Sequence, residues 1–212
     1  MKNYILRTVR LIFGLFLFAM GLVLSIQANI GLAPWDAFSM GISKISGISY
    51  GKIVILVGVA IIGADLLLKE KIGFGSVLNA ILIGSFVDLI QAADVIPMMA
   101  NFWTGTLMLL CGLALISVAS YFYIGAGLGC GPRDALMVAL VRRFPKVSVG
   151  WIRSLLEGSV LVIGWLLGGK VGLGTVLSVF GIGVLLDLTF KIFNFDITTI
   201  NHESLIDTIK AI

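Results

Sequence analysis

The sequence predicts an all-α polytopic membrane protein. Six transmembrane helices form two inverted three-helix repeats, each carrying one short re-entrant or interfacial helix. Three observations predict it: the composition, the number of long apolar stretches and the likeness of the chain's two halves. Of 212 residues, 59% are apolar and 12% charged. Soluble domains carry about a quarter charged residues. A chain of this size has too little interior to hide so much apolar surface from water. A soluble domain, a disordered chain and a nucleic-acid module are thereby excluded. The expected partner is the lipid bilayer.

A crossing helix takes about 20 mostly apolar residues. The first candidate, Thr8–Ala28, follows Lys2 and Arg7, as a signal peptide would. Its apolar run from Leu11 to Ile26 is too long for one and lacks a small-x-small cleavage site, so it reads as a retained helix. Pro34–Ile45 is too short to cross and opens with proline, which suits the first turn of a helix. Tyr50–Leu68 and Phe74–Ala92 complete the first half. Phe102–Ile124, the short Pro132–Phe144, Val149–Leu167 and Leu173–Phe193 repeat the order. The halves are expected at residues 1–97 and 98–194. In the polar tail, 195–212, Leu205, Ile206, Ile209 and Ile212 mark one face of a helix lying on the membrane surface.

The basic residues orient this scheme. With both termini cytoplasmic, 12 of the 15 Lys and Arg residues fall inside, and only Lys44, Lys52 and Lys170 fall outside. Counting both short segments as full spans would put Arg142, Arg143 and Lys146 outside, which favours six crossings.

The repeat is read by shifting the chain against itself. Ser49–Leu89 and Ser148–Leu188 match without a gap at 15 of 41 positions, including Gly51/Gly150, Lys71/Lys170, Gly84/Gly183 and Asp88/Asp187. Ile12–Phe38 matches Leu110–Leu136, including Gly31/Gly129, Pro34/Pro132 and Asp36/Asp134. Three crossings per half reverse the second half's direction. Inverted repeats with interrupted helices in matching places recur in secondary transporters.

Each candidate motif has a structural and a functional reading. In Pro34-Trp35-Asp36-Ala37 and Pro132-Arg133-Asp134-Ala135, an acid in the first helical turn complements the helix dipole. In the functional reading these helix starts line an entry from each face, with Trp35 an aromatic wall and Arg133 a cation. Asp36, Asp134, Asp88 and Asp187 are the gating candidates. Glu157 lies about 12 Å into its span, close to the bilayer midplane, with Arg153 one turn earlier on the same face. An isolated charge at that depth costs several kcal/mol, so Glu157 requires a partner, water or a proton. The pair is either a structural ion pair or a solute site. Arg153, Glu157, Arg133, Trp35 and Asn79 are the substrate-binding candidates. Asp65, near the end of its span, can pair with Lys69 four residues on. Cys111, Cys130 and the lone His202 show no metal, redox or nucleophile spacing, so no catalytic residue, metal or cofactor is expected. Gly125-Ala126-Gly127-Leu128-Gly129 lacks the preceding strand of a dinucleotide loop.

The segment QANIGLAPWDAFS from Gln27 to Ser39, GAGLGCGPRDAL, and the Lys-x-Gly-x-Gly turns at Lys71 and Lys170 resemble the YczE branch of the YitT/YczE/YyaS-type bacterial membrane proteins. The resemblance covers nearly the whole chain except the tail and implies a bacterial inner-membrane protein. The expected function is a small secondary transporter or exporter of a small polar or charged solute. The alternative is a non-transporting accessory protein assisting a membrane complex. A homodimer is a further possible assembly, and an intramembrane enzyme is not expected.

Overall fold

The computed structural model describes residues 2–147, 149–196, 200 and 203–205. Within them the chain forms eight helices: α1 Lys2–Gln27, α2 Pro34–Ser46, α3 Tyr50–Leu67, α4 Phe74–Ala92, α5 Phe102–Gly125, α6 Pro132–Arg143, α7 Val149–Leu166 and α8 Leu173–Ile192. Five of them, α1, α3, α4, α5 and α8, are long and apolar enough to cross a membrane. Of α7's 18 residues, two, Arg153 and Glu157, are charged.

The short helices begin where proline places them. Pro34 and Pro132 each occupy the first turn, with Asp36 and Asp134 beside them, and neither helix start has a side-chain cap. Proline lacks the N–H that a first turn leaves unpaired, and the acids complement the other free N–H groups. α1 starts six residues before the expected Thr8. Its basic residues lie within the helix because they have partners: Arg7 Nε donates to the Ala126 carbonyl at 2.7 Å, and Arg10 reaches the Tyr121 carbonyl at 3.2 Å.

The main core lies where α1, α4 and α5 meet. Leu11, Leu15 and Ala19 of α1, Val87 of α4 and Ile116 of α5 are buried there. The outer surface is apolar: Leu67, Phe180 and Leu166 are all more than 70% exposed. In water this arrangement would be costly, whereas in lipid it is the expected one. Trp103, Trp151 and Trp165 are also exposed, near helix ends, where their amphipathic rings suit a membrane interface.

α1 packs along α5, α4 lies on α1 and α8 on α5. α2 packs on α7 and α3 on α6. The connections between these elements are made by main chain. The turn before α2 lies on the turn before α8, with Gly174 N donating to the Ile30 carbonyl at 2.9 Å. The turn before α6 lies on the turn before α4, with Gly75 N donating to the Leu128 carbonyl at 2.6 Å. Gly31 (φ 129°) and Gly129 (φ 122°) sit at these contacts. A Cβ on Gly31 would meet Gly172 N at 2.7 Å, and one on Gly129 would meet Gly73 Cα at 2.8 Å, so both the backbone angle and the space require glycine. The far ends of the short helices are tied across as well: Lys44 Nζ donates to the Gly168 carbonyl at 2.7 Å, and Arg142 bonds both Glu70 oxygens at 3.0 Å.

The predicted tail helix falls largely outside the described residues, as do His202, Ile206, Ile209 and Ile212. The described piece docks on the bundle. Tyr4 and Arg7 bond Glu203 at 2.9 and 2.6 Å, and Leu205 N donates to the Ile72 carbonyl at 2.9 Å.

Candidate functional site

The starts of α2 and α6 meet inside the bundle. Asp36 is buried, at 5% exposure, and its Oδ1 accepts from the Tyr50 hydroxyl at 3.0 Å. Arg133, from the start of α6, brings its guanidinium to 3.9 Å from the same oxygen and lies over the Trp35 ring, 5.1 Å from its centroid. The Arg133 side chain keeps 34% of its surface accessible while Asp36 keeps 6%. The cation therefore offers unused donors to whatever enters beside it, since a guanidinium carries five N–H groups. Cation–π contact with Trp35 and the carboxylate of Asp36 hold its plane from two sides.

A second acid faces the same region. Asp134 is hydrogen-bonded to Tyr123 of α5, a residue as buried as Tyr50. Asn79 of α4 approaches there too: a Cβ built on Gly131 would lie 3.5 Å from Asp134 Oδ2 and 3.7 Å from Asn79 Nδ2. Ser39, one turn beyond Asp36, is fully buried with no partner for its hydroxyl. Cys130, just before α6, has its thiol pushed up to about 11 by burial, with the Asp134, Asp65 and Glu70 carboxylates adding to the effect. Alkylation at neutral pH is therefore slow at this position.

Five sequence candidates thus come together: Trp35, Asp36, Arg133, Asp134 and Asn79. The other four lie elsewhere. Arg153 and Glu157 pair on α7 at 3.0 Å, with side chains 59% and 27% exposed, on an outward face and not at the central cluster. Asp88 accepts from Ser49 Oγ at 2.5 Å and from Gly51 N at 2.7 Å, so it caps the start of α3. Asp187 is exposed on α8. The expected Asp65–Lys69 pair does not form. Asp65 is fully buried with both carboxylate oxygens unpartnered. α3 ends at Leu67, and Lys69 has a left-handed backbone (φ 63°), so the i,i+4 geometry of a continuing helix is lost.

Tyr50 and Tyr123 were not among the sequence candidates. A tyrosine in an apolar span needs a partner for its hydroxyl, and that requirement was the available signal. A shallow surface depression lined by Gly47, Ser49 and Lys52 lies by the α2–α3 turn and includes none of the central residues.

Buried acids, a bridging arginine and a lipid-facing apolar exterior define a polytopic helical membrane protein with a polar centre. The chain belongs to the family of unknown function DUF6198, whose model matches residues 5–191. It is 32% identical over 175 residues to the uncharacterized membrane protein YczE of Bacillus subtilis (strain 168), covering 82% of this chain and 80% of that protein. It is 34% identical over 173 residues to an uncharacterized protein of Haemophilus influenzae, covering 82% and 78% of the two chains. It is 27% identical over 186 residues to YyaS of Bacillus subtilis, covering 84% and 90%. These relatives and the apolar helices make it a bacterial membrane protein of the YczE type. No solved structure matches the chain.

Proposed function

We propose that this protein is a small secondary transporter or exporter of a small polar or charged solute across the bacterial inner membrane, acting by binding and movement without chemical conversion. The observation that carries the reading is Arg133 reaching from one half to Asp36 and Trp35 of the other, where two uncapped helix starts meet. In this reading α7 is the sixth crossing, the halves are inverted, and both termini are cytoplasmic, as the 12-to-3 distribution of basic residues indicates. Reciprocal ties support the inversion: Gly174 on Ile30 has its counterpart in Gly75 on Leu128, and Lys44 on Gly168 has one in Arg142 on Glu70. Helix starts at such a repeat interface suit a solute's charged or polar groups. Asp36 and Asp134 would open and close access while Arg133 and Asn79 hold the solute.

The test is flux in proteoliposomes loaded with a panel of amino acids, organic acids and amines. Arg133→Gln and Asp36→Asn are expected to lose at least about tenfold in flux at normal folded yield, the scale of one lost charged contact. Wild-type protein that passes no member of the panel, with both variants folding normally, would remove the reading. It would leave the accessory role, which the outward-facing Arg153–Glu157 pair favours as a contact point for another membrane protein.

A further inference from the structure

Asp65 has no role in the central cluster, yet it is the one carboxylate among the described residues whose two oxygens are both buried and unpartnered. Its surroundings make that costly for an anion. On α3 the other ionisable groups, Tyr50 and Lys52, lie in the first turn, about 20 Å away along the helix. The only charged residue on α4, Asp88, is also at that far end, held by Ser49 and Gly51. α2, which also touches α3, carries Asp36, taken by Tyr50 and Arg133, and Lys44, bonded to Gly168. Lys69 and Lys71 are exposed and make no ion pair among the described residues. From the α6 side come Asp134, bonded to Tyr123, and Arg142, whose guanidinium is spent on Glu70. Arg133 is engaged with Asp36, and Arg143 is exposed. The charged group that acts on Asp65 is thus another acid, Glu70, and Cys130 is acted on by Asp134, Asp65 and Glu70 together.

The matching position 99 residues on is Gly164, whose lack of a side chain lets α7 lie directly on α2, where a Cβ would strike the Phe38 backbone. Where one half closes backbone to backbone, the other inserts a carboxyl group. A buried carboxylate without a partner needs either a cation or a proton. A cation would need several further oxygens, and no group of three or more acids, Cys or His among the described residues could hold a metal ion. The ligand that fits is a proton.

We infer that Asp65 is a proton-binding carboxyl group, exchanging with the aqueous face through the Glu70–Arg142 pair, and that its charge acts on the central site across Cys130 and Asp134. The coupling to solute rests on the transport reading, whereas the proton site does not. At the exposed end of the path, Arg142 is 69% accessible and Glu70 is 10%. A proton arriving at Asp65 removes a negative charge that acts, with that of Asp134, on Cys130, and its departure restores one.

Infrared difference spectra of the purified protein in lipid vesicles, taken between acidic and alkaline pH in sodium-free buffer, test the site directly. The expected result is a protonated-carboxyl band that disappears in Asp65→Asn and in Asp65→Leu but persists in Asp134→Asn. The same band in both Asp65 variants, or a wild-type response that requires sodium, overturns the inference. Flux then tests the coupling: Asp65→Asn is expected to lose the dependence of transport on a pH gradient while retaining exchange of solute. Unchanged pH-driven flux with loss of the band overturns the coupling. Absence of flux in the wild type, with the band assigned to Asp65, fails the transport reading and leaves the proton site standing. If Asp65→Asn folds poorly, the apolar Asp65→Leu, of similar size, keeps both measurements available, since a neutral acid tolerates an apolar replacement better than an ion pair does.

Discussion

α3 and α4 are locked together, whereas α7 and α8, built from matching residues, stand apart. In the first pair, a Cβ on Gly51 would fall on the Gly84 carbonyl, and one on Gly84 on the Gly51 carbonyl. Asp88 completes the lock by bonding Gly51 N at 2.7 Å. In the second pair, Gly150 and Gly183 have nothing within 4 Å of the same built position. The two pairs also differ deeper along the seam. Gly58 and Ala80 meet at the first contact, with a built Cβ on Gly58 3.0 Å from that of Ala80. The corresponding residues are Glu157 and Val179, which cannot share that space. A close helix crossing is therefore set by the bulkiest residue along its seam, and small residues at either end do not close it alone.

Five variants probe this contrast. Gly51→Ala is expected to destabilise by roughly 3 kcal/mol, because backbone rather than a flexible side chain blocks the added methyl. Gly150→Ala is expected to be neutral or to stabilise by up to about 1 kcal/mol. Thermal unfolding of the two variants in the same detergent compares them, and equal losses would break the contrast. Asp88→Ala is next, at about 1–2 kcal/mol, for a cap and a hydroxyl bond lost together. Asp187→Ala should stay within about 0.5 kcal/mol, as expected of an exposed group. Glu157→Gly with Val179→Ala is expected to change stability by no more than about 1 kcal/mol. Its informative readout is geometry: cysteines placed at positions 151 and 187 should cross-link faster in the double variant than in the parent. Unchanged cross-linking would show that these two side chains do not hold α7 from α8.

Much of this architecture was legible because helix punctuation is local. Pro34 and Pro132 begin the short helices, and the stretch Phe74–Ala92 is found as a helix with those same limits. The start of α1 was misplaced because charge was taken as a sign of water, whereas Arg7 and Arg10 spend theirs on carbonyls of a distant segment. The central site was half legible. Trp35, Asp36, Arg133 and Asp134 stood out as a polar pair in a repeated motif, but which acid takes Arg133 and which tyrosine is decided by tertiary approach. Asp65 was misread for the opposite reason. A local rule supplied a partner in Lys69, and a single left-handed residue cancelled it.

The two glycine contacts, Gly31 on Gly172 and Gly129 on Gly73, have a mechanical consequence. Each short helix is pinned, main chain to main chain, to the helix pair of the opposite half. α2 is further tied to the turn after α7 by Lys44, and α6 to the turn after α3 by Arg142. The groups of helices that these ties join are thus not the two lengths of sequence. One joins α2 to α7 and the start of α8, and the other joins α6 to α3 and the start of α4. Arg133 belongs to one group and Asp36 to the other. The 3.9 Å between them spans the two groups, as does the 3.0 Å bond from Tyr50 of α3 to Asp36 of α2.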